Sequence, residues 1–100
     1  MFKVGKVINF YEKIGITIVE LTANLTVGDT IKIYKDGEEI LTQYIDKILF
    51  DQKNIPFAKP GDVVGLHFVR SHFVIGLDEN DKKIQKGSEV YRLGQLGARS

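Results

Sequence analysis

Cysteine is absent from the 100 residues. Disulfides, thiolate zinc sites and thiol nucleophiles are therefore excluded. Charge of one sign is lacking too: 14 Lys and Arg stand against 13 Asp and Glu, a formal net charge of +1. That excludes a strongly basic glove for nucleic acid, though not a local basic patch. No apolar run approaches the ~20 residues of a membrane helix. The first residues pass directly into a strand-like pattern with no signal-peptide character, so a soluble cytoplasmic protein without a membrane partner is expected. Helical periodicity is missing: no segment longer than a turn repeats its apolar residues every 3.6 positions. A phosphate-binding glycine loop is missing as well, which removes nucleotide hydrolysis. Ser71, Ser88 and Ser100 lack a nucleophile-elbow context. His67 and His72 lie five apart with Asp78 and Glu79 downstream, but no third ligand converges on them, and His67 reads as an outer strand residue. No catalytic residue, metal or cofactor is expected, and the chain is not read as an enzyme.

What the chain does have is a repeated turn–strand unit. Residues 58–66 are its clearest copy. Pro60 presets φ for the second turn position, and Gly61 supplies the positive φ that a type II turn needs at the third. Asp62 bonds locally to backbone, and Val64, Leu66 and Phe68 then alternate along one strand face. Weaker copies stand at 27–33 and 86–91. Gly28, Asp29, Gly61, Asp62 and Gly87 are thus structural turn residues, and Asp29, Asp62 and Glu89 read as local caps. Ser88 holds the Asp position of the third unit.

The rest of the chain fits the same scheme. Residues 2–10 read as a first strand, with Val4 and Val7 kept on one face by a bulge near Gly5-Lys6. Residues 15–21 form a second strand, apolar on both faces, which implies a central strand or one covered outside by a loop or partner. Residues 25–27 read as a loop with apolar plugs. Residues 30–35 and 38–50 form strands joined by Asp36-Gly37, a type I′ hairpin signal, with a second bulge near Asp46-Lys47. Residues 51–54 read as a polar loop, and 55–58, carrying Pro56, as a plug and not a ladder strand. Residues 63–69 make the fifth strand and 70–76 continue it or add a seventh. Residues 77–83 read as a mobile loop, 89–93 as the closing strand and 94–100 as a flexible tail. The expected fold is all-β: a six-stranded antiparallel barrel with room for a seventh strand.

Residues 45–66 carry a resemblance. An apolar strand, a Lys in a loop, an apolar plug and then a Gly-Asp-x-Val-Gly run resemble the second domain of translational GTPases such as elongation factor Tu and initiation factor two. Pro60 stands where that family has the second Ala of Ala-x-Ala-Gly-Asp. Residues 25–31 are similar to its earlier Leu-x-x-Gly-Asp-x-Ile unit, and 4–7 look like its first strand. The nearest variant is the C-terminal barrel of collagenase-like peptidases and its short free-standing homologues. The resemblance covers 2–93 and implies a Greek-key barrel of the translation-factor type over 1–93. It departs at 69–86, where the family has only a short turn.

Two functional classes follow. The first is a non-catalytic module contacting RNA or ribosomal particles through Lys6, Lys13, Arg70, Lys82 and Lys83. Basic residues beside tyrosines (Tyr11, Tyr34, Tyr44) are what single-strand binders use. The blander account is a solvated lysine face diluted by carboxylates. The second class is a protein-interaction module, either an accessory partner of a collagenase-like peptidase or a homo-oligomer. Its candidate surfaces are the two-sided second strand and residues 73–75.

Overall fold

The computed structural model describes residues 2–68 and 84–93. In chain order the strands are β1 (Phe2–Tyr11), β2 (Ile16–Leu21), β3 (Leu25–Thr26), β4 (Thr30–Lys35) and β5 (Glu38–Phe50). They continue with β6 (Lys53–Ile55), β7 (Phe57–Ala58), β8 (Val63–Phe68) and β9 (Glu89–Arg92). No helix occurs among the described residues. Six strands close a barrel in the order β4-β9-β1-β2-β8-β5, with β5 returning to β4 and β6 added beside β5. Every pairing is antiparallel. The separate β3–β7 ribbon is linked to β5 through Gly28 N–H donating to Ile45 O.

Alternation explains the core. Ile31 and Ile33 from β4, Val64 and Leu66 from β8 and Val90 from β9 point inward with essentially no exposure. Fully burying each such side chain contributes roughly 1.5–3 kcal/mol. From β2 the inward residues are Thr17, Val19 and Leu21. Two long strands bend around this core by bulging. In β5 the register slips between Ile45 and Lys47, so Asp46 is the extra residue and Ile45 and Ile48 both face inward. In β1 it slips between Lys3 and Gly5 against β9, and between Val7 and Asn9 against β2. The bulge expected at Gly5-Lys6 therefore falls one residue earlier, at Val4. Gly5 is needed for close approach: a Cβ there would lie 2.6 Å from the Glu20 carbonyl oxygen.

The three turn units share one geometry. Gly28, Gly61 and Gly87 have φ of 100°, 94° and 87°. Asp29 Oδ2 accepts from Thr26 N–H at 2.8 Å, and Asp62 Oδ2 accepts from Lys59 N–H at 3.0 Å. In the third unit Ser88 is fully buried and its hydroxyl donates to Gln85 O at 2.7 Å. Glu89 is not a cap; it is a strand residue whose carboxylate reaches Tyr91 and Lys3.

Three loop and plug assignments are corrected. Asp51 and Gln52 alone form the turn, with φ of 56° and 67°, and Lys53 and Asn54 already pair with Phe50 and Leu49. The polar composition of 51–54 hides a second I′-like hairpin. Residues 55–58 are not a mere plug: Ile55 pairs with Ile48, and Phe57 and Ala58 pair with Thr26 and Leu25. Pro56 is accommodated between the two short strands, and its carbonyl accepts from Val27 N–H. Residues 25–27 likewise hold a strand and not only a loop. The last residue of the expected fifth strand, Val69, the strand or extension expected at 70–76, the loop at 77–83 and the tail at 94–100 lie outside the described residues.

Candidate functional site

The outside of the barrel has two unlike faces. On β4, β9 and β1 the outward residues are Lys32, Tyr91 and Lys3 in one cross-strand row, and Tyr34, Glu89 and Lys6 in the next. Tyr34 and Tyr91 meet edge to face, with ring centroids 5.5 Å apart. Tyr91 O–H donates to Glu89 Oε1 at 3.1 Å. That hydrogen bond first, and partial desolvation second, raise the Tyr91 pKa above its ordinary value. Lys3 Nζ lies 3.5 Å from the same carboxylate, and Lys32 Nζ lies 3.3 Å from Glu39. Charges of both signs thus alternate over this face.

On β2, β8 and β5 the outward rows read differently. Ile18, Gly65 and Leu49 form one row; Ile16, His67 and Lys47 form the next; Glu20 and Val63 form a third. Both isoleucines and Leu49 are half-buried, and Val63 is 45% exposed. Ile16, Ile18 and Leu49 lean over Gly65, where an added Cβ would sit 2.9, 3.5 and 3.7 Å from them. Beside this strip His67 Nδ1 lies 2.6 Å from Asp46 Oδ1, both side chains about one-third exposed. In a neutral imidazole whose Nδ1 donates to the carboxylate, Nε2 is an acceptor. The Asp46 bulge makes the pair by turning that carboxylate toward β8.

Of the residues singled out from sequence, Lys6 is exposed on β1 opposite Glu20 on one side and Glu89 on the other. Lys13 is exposed in the turn between β1 and β2, where Gly15 N–H donates to Tyr11 O. The rest of β1 separates the two. Arg70, Lys82, Lys83, His72, Asp78 and Glu79 lie outside the described residues. Among the described residues no three His, Cys, Asp or Glu side chains are disposed to hold a metal. Sequence reasoning missed the Asp46–His67 pair, whose members are 21 residues apart. It missed Arg92 as well, whose side chain joins β9 to the β2–β3 connection and to β1. Arg92 Nη1 donates to Asn24 O at 2.8 Å and lies 3.9 Å from Asp29, while its guanidinium sits 4.4 Å from the Phe2 ring centroid.

No protein-family model matches the chain. Over 71 residues, 68% of its length, it is 32% identical to an uncharacterized protease of Methanocaldococcus jannaschii, and it spans 17% of that protein. Among solved structures it is similar to the C-terminal domain of a Geobacillus thermoleovorans protein described as a U32 peptidase. The TM-score is 0.72 at 18% identity, over 93% of both chains. The chain has the fold of that C-terminal domain. The selenomethionine variant of the same domain gives a TM-score of 0.71, also at 18% identity, over 91% of this chain and 99% of its own. At this identity the likeness is one of fold. The two proteins behind these matches are described as peptidases, and neither is described as a translation factor. No helix among the described residues is long and apolar enough to cross a membrane.

Proposed function

We propose that the chain is a non-catalytic protein-docking module that works alongside a peptidase of the U32 type. One observation carries the reading: two-thirds of the chain matches a segment of a much longer protease at 32% identity. The fold of a U32 peptidase C-terminal domain supports it. So does the surface, which sets a polar face against an apolar strip. The test is co-purification of the tagged chain with the full-length U32-type peptidase of the source organism, expressed together. Retention of the peptidase on the tagged chain, with no proteolysis by the chain alone, is the expected result. A chain that elutes without it, or a genome with no such peptidase, sinks the reading.

A second reading, RNA or ribosome contact, is favoured by the cluster of Lys3, Lys6 and Lys32 around Tyr34 and Tyr91 on one face. Its lysines are partly neutralised by Glu89 and Glu39. Binding would be salt-sensitive with a shallow slope of roughly −0.7 per phosphate contact on single strands. Titration of labelled RNA and ribosomes at low and moderate salt decides it. A variant lacking the charges of Lys3, Lys6 and Lys32 should then bind more weakly than the parent.

A further inference from the structure

The outer surface of an antiparallel barrel normally faces water and is polar. The β4–β9–β1 face obeys that rule, with Lys3, Lys6, Lys32 and Glu89 directed outward. The β2–β8–β5 face does not. Ile18, Gly65 and Leu49 stand side by side across three strands. Gly65 is buried although it points outward, because Ile16, Ile18 and Leu49 close over it. These side chains form a second apolar layer outside the barrel, continued by exposed Val63. Glu20, Lys47 and the Asp46–His67 pair border it. An apolar centre with a polar rim is the anatomy of a protein interface.

We infer that this β2–β8–β5 face is where the barrel seats against the body of a U32-type peptidase. The inference rests on the docking reading above and says which surface performs it. Two observations select the occupant. In the Methanocaldococcus jannaschii protease the matching segment is 17% of the length, so the equivalent barrel is joined to a body several times its size. Such a barrel must turn some face toward that body. The polar β4–β9–β1 face loses hydration and ion pairs when covered, whereas the β2–β8–β5 face removes Ile16, Ile18, Leu49 and Val63 from water. The partner surface is accordingly apolar at its centre, with polar groups placed to meet Glu20 and Lys47.

The experiment measures binding of the intact chain to the full-length U32-type peptidase of the source organism, using four proteins: the parent, Val63→Lys, Ile18→Lys/Val63→Lys and Lys32→Glu. Val63→Lys changes an already exposed side chain, so its Tm is expected to stay close to that of the parent. Binding at least about tenfold weaker for both face variants, with Lys32→Glu equal to the parent, is expected for loss of packed interface anchors. If the parent binds and the face variants bind equally well, this face is wrong while the docking function stands. Failure of the parent to bind overturns the docking function and this inference with it. A fall in Tm of the size seen for a core substitution in Val63→Lys means the chain covers its own face, and overturns the inference. A parent that self-associates through this face, with dimerisation lost in the same variants, also overturns it, in favour of a second copy.

Discussion

Gly61 shows how one residue conditions a whole unit. Its φ of 94° is a region that a side chain disfavours, and no neighbouring atom would obstruct a Cβ there. The cost of Gly61→Ala is therefore backbone strain alone, and the variant should lose about 1 kcal/mol in urea titration. A loss near zero would mean that the turn relaxes. Thr17 presents the opposite case. It is fully buried, and its hydroxyl has no partner among the described residues. A buried, unpaired hydroxyl is a cost, and valine has the same shape. Thr17→Val should raise the Tm or leave it unchanged; a fall would reveal a hydrogen bond made by that hydroxyl. Tyr91 gives a pH-dependent term. Its pKa is raised in the folded state, led by its donation to Glu89. The associated stability is present below the ordinary tyrosine value of about 10 and is lost as pH rises through the folded value. Tyr91→Phe should therefore lower the stability near neutrality and flatten its fall above that pH, so that the two proteins converge at high pH.

Hairpins show most clearly what could be read from the sequence. Asp36-Gly37 is a local signal, so the strands at 30–35 and 38–50 were legible to the residue, and both turn residues do have positive φ. Asp51-Gln52 forms the same kind of turn with no glycine, so the polar run 51–54 reads as loop although half of it is strand. Gln52 has a φ of 67°, which costs a side chain about 1–2 kcal/mol, partly returned by the greater unfolded-state entropy of glycine. Gln52→Gly should therefore stabilise the chain by several tenths of a kcal/mol or more, and chemical denaturation would show a higher midpoint. An unchanged or lower midpoint would mean that Gln52 makes contacts worth the strain. Bulges were visible as spacing-three anomalies because the core keeps its demand for inward residues through the slip. Their consequence for the site was not visible. Which side chain the Asp46 bulge turns toward β8 depends on a register 21 residues away, and no local pattern carries it. The outer apolar layer was half legible. The two-sided apolar pattern of 15–21 pointed to a covered strand, but its alignment with Gly65 and Leu49 needed the ladder.

At the scale of the whole molecule, closure joins the two ends of the described chain. β9 lies between β4 and β1, so the last described strand pairs with the first. Without it, the inward residues Val4 and Ile33 would border an open gap, and the main-chain groups of β1 and β4 facing β9 would lose their partners. Leu93 is still part of this seam, since its N–H donates to Thr30 O at 3.0 Å. Arg92, one residue earlier, ties the seam to the β2–β3 connection through Asn24 and stacks on Phe2. Two truncations follow. A chain ending at 93 keeps the seam contacts made among the described residues, and its Tm is expected to match that of the full chain; a clear fall would give 94–100 a part in the fold. A chain ending at 83 lacks β9 and should be unfolded or aggregated, because it loses buried Val90 and leaves the facing edges of β1 and β4 unpaired. Far-UV circular dichroism and thermal melts of both read the outcome directly. A stable β spectrum from the shorter chain would show that β4 and β1 can close on each other, and that the six-stranded count is not what holds this core together.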